Sequence, residues 1–167
     1  MIYRCRMATP LGPITVAAEN NALSGLWFIG QKYYPTDADG WTDQPDNPVF
    51  TELRGWLAAY FAGDHRLPAL RIAPQGTPFQ CAVWERVRDI PYGHTTTYGE
   101  IAQQITVAGK LSATSARAVG NAVGHNPLLL VIPCHRVVGS DHSLTGYAGG
   151  IHRKQALLQL EREHRSS

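Results

Sequence analysis

Apolar positions in the first third of the chain gather in two short runs, Ile14–Ala18 and Ala22–Ile29, parted by Glu19-Asn20-Asn21. Short runs around an Asn-rich turn predict two antiparallel strands joined as a hairpin. Residues 31–47 are rich in Asp, Pro, Gly and Thr and read as a surface loop. The period then changes. Phe50, Leu53, Leu57, Tyr60 and Phe61 fall on one face of a helix. Asp46 or Asn47 can cap that helix, Pro48 suits its first turn, and Gly63 sits just past its end. Residues 64–76 read as a strand followed by a linker. A second unit begins at Thr77, a cap, and Pro78, with Phe79, Val83, Val87 and Ile90 on one face. "PYGHTT" (91–96) reads as a turn, "TYGEIAQQI" (97–105) as a short helix, and "SATSARAVGNAVG" (112–124) as another. A Gly-rich loop then runs into a last helix through "IHRKQALLQLEREH" (151–164). The expected fold class is an α/β N-terminal unit, a short antiparallel sheet plus a helix, over residues 1–75. A mostly α-helical domain containing a helix-turn-helix follows over residues 76–167.

Composition narrows this picture a little. The chain has 167 residues, 44% hydrophobic and 17% charged, enough for one core or two small ones that share an interface. No apolar run approaches the roughly 20 residues of a membrane helix. The first residues show no signal-peptide stretch, so a cytoplasmic chain is expected. The three cysteines, Cys5, Cys81 and Cys134, are odd in number and scattered, which fits a reducing compartment. No paired-cysteine or paired-histidine ligand spacing occurs, so no metal is expected. The net charge of +2 neither requires nor excludes a nucleic-acid partner, because a local basic patch is what matters. Two helices joined by a turn, the second carrying Arg117 among small residues, fit a helix-turn-helix, although helical hairpins are common elsewhere.

The segment "LLLVIPCHRVVGS" (128–140) sets a thiol and an imidazole at the end of an apolar run. A cysteine there is an ordinary core filler on composition alone. His135 and Arg136 are not residues that an apolar core would choose. A thiolate near an imidazole and a cation has a lowered pKa and is a competent nucleophile. Adjacent residues need not face each other, so a relay between Cys134 and His135 requires a water or a further turn of backbone.

The ordered set "GTPFQCAVW" (76–84), "IPYGHTTTYGEIA" (90–102), "ARAVG" (116–120), "GHNP" (124–127), "IPCHRVVG" (132–139), "GYAGG" (146–150) and "LLQLE" (157–161) resembles the O6-alkylguanine-DNA alkyltransferases, also called methylated-DNA–protein-cysteine methyltransferases. The resemblance covers nearly the whole chain. It implies Cys134 as the alkyl acceptor, His135 as the base that takes the thiol proton through a water, and Glu161 as the carboxylate that orients that histidine. It implies Arg117 as a finger filling the gap left by the damaged nucleotide, and Tyr98 as a residue that helps rotate that nucleotide out. Asn126 is the implied hinge between recognition element and cysteine segment. In "GYAGG", Tyr147 would pack on the purine, with the backbone at Ala148 and Gly149 facing O6. Each has a plainer reading: Glu161 as a solvated helix residue, Arg117 as half of an ion pair, Tyr98 and Tyr147 as anchors, Asn126 as a turn. His94, His125, His142 and His152 have no motif role and read as surface residues.

The implied activity is DNA repair. O6-alkylguanine is flipped from duplex DNA and its alkyl group passes to Cys134 as a thioether that thiol exchange cannot reverse. The expected partner is double-stranded DNA carrying O6-alkylguanine, with O4-alkylthymine as a second substrate. The chain is expected to act as a monomer without cofactor, metal or membrane. Two rivals are a non-catalytic binder of alkylated DNA, against which Cys134 argues, and a cysteine hydrolase using Cys134, His135 and Glu161. One departure from the family pattern is the connection at 106–114, "TVAGKLSAT", which is longer than usual and carries Lys110.

Overall fold

The computed structural model describes residues 1–107 and 114–165 and opens with an antiparallel meander. Strand β1 (Tyr3–Met7) pairs with β2 (Ile14–Glu19), and β2 pairs with β3 (Ala22–Phe28). The β2–β3 turn is Asn20-Asn21, both with positive φ, the geometry that matches the twist of a two-residue hairpin. Register puts Ile14 opposite Phe28 and Val16 opposite Leu26, so one face presents large apolar side chains to the interior. The first strand was not anticipated. Tyr3, Cys5 and Met7 alternate with Arg4 and Arg6, a period-2 signal shortened by Pro10 and Gly12. The 31–47 segment is largely loop, as read, yet it carries a short β4 (Thr42–Asp43) parallel to β1.

Helix α1 (Pro48–Phe61) covers the inner face of the sheet. Asn47, rather than Asp46, is its cap, with Oδ1 accepting from the Val49 N–H at 2.9 Å. Phe50, Leu53, Leu57 and Tyr60 are buried, and Trp56 joins them. The strand expected within 64–76 does not form. Only Ile72 bridges to Leu23, because Pro68 and Pro74 remove donors on either side.

Helix α2 (Pro78–Arg88) begins with a full capping box between Thr77 and Gln80. Strand β5 (Thr96–Thr97) leads into α3 (Tyr98–Val107), and α4 (Ala116–Gly124) is capped by Ser115. α3 and α4 pack on each other and on α2 as the helix-turn-helix. Most of the long connection, Lys110 included, lies outside the described residues. A two-residue β6 (Val137–Val138) pairs parallel with β5, and α5 (Ile151–Glu163) closes the chain.

One core runs through both units. The apolar run ahead of Cys134 supplies the junction: Leu26 N–H donates to Pro127 at 2.8 Å and Leu129 N–H to Leu26 at 3.2 Å. Leu23 and Leu26 therefore use the free edge of β3 to hold segments 71–73 and 127–129, which leaves no apolar edge open there.

The end of α1 meets the end of α5 at Gly63. Its φ is +94°, and a Cβ there would run into the His164 ring. Gly63→Ala therefore meets both left-handed strain and a clash. The expected loss is about 1–2 kcal/mol from the conformation alone, or roughly 2–8 °C in Tm. Thermal unfolding checks it, and an unchanged Tm would contradict it.

Candidate active site

The chain approaches Cys134 through a tight, wholly buried turn. Leu130 sits at φ +72°, a conformation costly for a bulky residue, and it is held by the burial of Leu128, Leu129 and Ile132 around it. Cys134–Arg136 then form a single 3-10 turn. Asn126, directly after α4, pins this arrangement. Its Nδ2 donates to Ile132 O at 2.9 Å and to Cys134 Sγ at 3.1 Å, while its Oδ1 accepts from Leu128 N at 2.9 Å. One amide thus joins the second helix of the helix-turn-helix to the sulfur.

Cys134 is 2% exposed, His135 0% and Glu161 1%. The His135 Nε2–H donates to Glu161 Oε2 at 2.6 Å, which leaves Nδ1, buried and without a partner among the described residues, as the lone-pair nitrogen. Arg136 does not lie by the thiol as the sequence suggested. Its Nε and Nη2 grip Glu161 at 2.8 and 3.0 Å, and Nη1 reaches Ile90 O at 2.8 Å. Burial alone would raise the Glu161 pKa, but His135 and Arg136 hold it well below the usual carboxylate range. Burial keeps His135 below its ordinary value against the pull of Glu161. The resting centre is therefore a neutral imidazole beside a compensated Arg136–Glu161 pair.

Burial pushes the Cys134 thiol up to about 11, opposed by the Asn126 hydrogen bond and the Lys154 charge. At pH 7 about one molecule in ten thousand would hold a thiolate unaided. Lys154 was not anticipated. It is fully buried on α5, its Nζ donates to Val137 O at 2.6 Å and Thr145 O at 3.1 Å, and burial brings it down to about 8. Its signal was present in the spacing of Lys154, Leu157, Leu158 and Glu161, one helical face.

On the other side of Cys134 opens a cleft of about 550 Å³. Tyr98, Arg117, Tyr147 and Ala148 line it, together with Lys32 and Tyr33 from the N-terminal unit. Arg117 is exposed on the first turn of α4 and makes no hydrogen bond or ion pair among the described residues, so the ion-pair reading is not realised. Tyr98 OH accepts from Thr145 Oγ1 at 2.9 Å. Gly149 lies behind the cleft rather than in its wall. A Cβ there would sit 2.7 Å from the Tyr147 ring and 3.1 Å from Phe28, so glycine lets those rings close up. His125, read as a surface residue, stacks on Tyr33 at 4.0 Å between centroids and also lines the cleft. Among the described residues no His, Cys, Asp and Glu side chains group as a metal site would need.

A family model for the 6-O-methylguanine DNA methyltransferase DNA binding domain matches residues 78–163. A second, for the ribonuclease-like domain of the same methyltransferases, matches residues 2–74. The methylated-DNA–protein-cysteine methyltransferase of Mycobacterium tuberculosis is 44% identical over 162 residues, 97% of this chain and 93% of that protein. The chain belongs to the 6-O-methylguanine DNA methyltransferase family. A member from Methanosarcina acetivorans is 39% identical over 160 residues, 96% of this chain and 98% of its own. The crystal structure of Mycobacterium tuberculosis OGT in complex with DNA matches with a TM-score of 0.86 at 41% identity, covering 97% of this chain and 94% of that one. Within this methyltransferase framework, the residues around Cys134 divide between both matched regions. Phe28, Lys32 and Tyr33 belong to the first, and Tyr98, Arg117, Asn126, Cys134, His135, Arg136, Tyr147, Lys154 and Glu161 to the second.

The raised thiol has a measurable consequence. Alkylation of Cys134 by iodoacetamide, followed by mass spectrometry, is expected to keep rising with pH and to level only near 11. Lys154→Met, which removes a positive charge present only below about pH 8, should slow alkylation at pH 7 and leave the inflection near 11 in place. An inflection at the ordinary thiol value would contradict the burial argument.

Proposed function

We propose that this protein repairs alkylated DNA by moving an alkyl group from O6 of guanine to Cys134, once per molecule, in the cytoplasm. Residues 76–167 form the unit that holds DNA and the acceptor, and residues 1–75 buttress it. One observation carries the reading: Cys134 lines a cleft edged by an exposed Arg117, and the next residue, His135, is buried in a pair with Glu161. An alkyl group on O6 is inaccessible within the stack, so the nucleotide must leave the helix. Arg117 fills the gap, Tyr98 guides the nucleotide out, Tyr147 packs on the purine, and the Ala148 backbone meets O6. Gly149 keeps Tyr147 in place, and Asn126 links the recognition helix to the sulfur.

The chemistry needs a thiolate from a thiol that burial keeps protonated. His135 takes the proton at Nδ1 through a water, with Glu161 stabilising the imidazolium. Lys154 favours the sulfur anion. Sulfur attacks the alkyl carbon, the C–S bond forms as the O6–carbon bond breaks, and the electron pair passes to the purine. Guanine regains a proton at N1, which balances the one lost from sulfur. The thioether has no route back by thiol exchange.

Titrating O6-methylguanine duplex with limiting protein should give transfer that stops at one alkyl group per chain. Continued turnover would instead indicate hydrolysis or another catalytic cycle. The Arg117 role is separable. Flipping leaves a gap that costs a few kcal/mol of stacking and pairing, and a planar guanidinium fills it better than an ammonium. Arg117→Ala should cut transfer from duplex DNA by more than tenfold at saturating protein while transfer from free O6-benzylguanine changes little, and Arg117→Lys should rescue in part. Equal losses on both substrates would remove the finger assignment.

A further inference from the structure

The buried relay receives one side chain from outside the DNA-binding unit. Tyr60, on α1, sends its hydroxyl to Glu161 Oε2 at 2.6 Å, and the same hydroxyl lies 3.5 Å from His135 Nε2. The ring is held on three sides, stacked on Trp56 at 5.4 Å and edge-on to Phe61 and Tyr92 at 5.3 and 6.0 Å. A buried phenol could be only a satisfied core residue. Here, however, Tyr92 and Tyr147 both bury their hydroxyls without a partner among the described residues, so packing in this core does not by itself bring a phenol to a carboxylate.

The crowding at Glu161 points to a role. Oε2 accepts from Tyr60, His135 Nε2 and Arg136 Nη2, and Oε1 accepts from Arg136 Nε and the Gly93 N–H. Three donors on Oε2 exceed the lone pairs of one carboxylate oxygen, so each weakens the others. We infer that Tyr60 is a positioning residue of the alkyl transfer, through which the N-terminal unit fixes Glu161 and limits the basicity of His135. This rests on the proposed transfer to Cys134.

The hydroxyl stays protonated, since burial and the Glu161 charge both raise its pKa. As a neutral donor it draws negative charge from the oxygen that faces His135 and makes the imidazole easier to keep neutral. The other groups facing the relay are Tyr92 after α2, Cys134 and Arg136 on the 3-10 turn, Tyr147 in the Gly-rich loop, and Lys154 on α5. Removing the phenolic OH leaves all of them in place.

The test is Tyr60→Phe, which keeps the ring and loses only the donor. Single-turnover transfer from free O6-benzylguanine is followed from pH 5 to 9 in wild type, Tyr60→Phe and Trp56→Phe. His135 must be neutral to accept the thiol proton, so the rate falls on the acid side as it protonates. With Tyr60→Phe the His135 pKa rises, and that acid limb should move to higher pH by about half a unit to one unit. On that acid limb the rate at a given pH should fall about three- to tenfold while the alkaline plateau is retained. Trp56→Phe, which disturbs the same helix without touching Glu161, should lower the melting temperature and leave the profile in place. Superposable wild-type and Tyr60→Phe profiles, an equal loss at every pH, or the same shift in Trp56→Phe would each overturn the inference. No transfer by wild type would instead overturn the proposed function.

Discussion

The carboxylate of Glu161 is the constraint around which the rest of the centre is arranged. A buried anion is costly unless charge and hydrogen bonds compensate it. Here Arg136 neutralises it through two N–H groups, and Gly93, His135 and Tyr60 occupy what remains. The donors come from α1, the turn after α2 and the acceptor turn, while Glu161 itself rides on α5. Losing any one would leave the others around an under-satisfied charge, so these four stretches of chain stay in register because their polar groups have nowhere else to go.

The acceptor turn follows the same logic with apolar contacts outside and polar ones inside. Leu128, Leu129 and Ile132 anchor it to the sheet and the core, and Asn126 fixes its carbonyl and its sulfur from within. In a 3-10 turn successive side chains point about 120° apart. Cys134, His135 and Arg136 therefore address three regions: the cleft, the carboxylate, and the carboxylate together with Ile90 and the Tyr92 ring. Three consecutive residues thus face the cleft, the carboxylate and the charge that balances it.

That geometry explains which parts were legible in the sequence. Helices α1 and α2 announce themselves by period and by the caps Asn47 and Thr77. Cys134, Tyr98, Arg117, Tyr147 and Ala148, which stand in separate sequence motifs, line one cleft. Arg136 was misplaced because adjacency along the chain says nothing about direction in a tight turn. Lys154 follows His152 and Arg153, which read as solvated, but its spacing to Leu157, Leu158 and Glu161 puts it on the buried face of α5. Tyr60 was visible as a core residue, but its hydroxyl partner lies 101 positions away. Lys32 and Tyr33 sit in a loop with no local signal of function. The supposed strand in 64–76 failed for the opposite reason, since apolar content suggested pairing that its prolines prevent.

The depth of Cys134 also bears on how the protein waits. A sulfur held as a thiol by burial, with its pKa near 11, is a poor target for peroxide, because oxidation to a sulfenic acid proceeds through the thiolate and requires access. A group that can be used once gains from being slow toward every other electrophile in the cell. The same burial that keeps the thiol protonated thus preserves the sulfur in the interval before a lesion arrives.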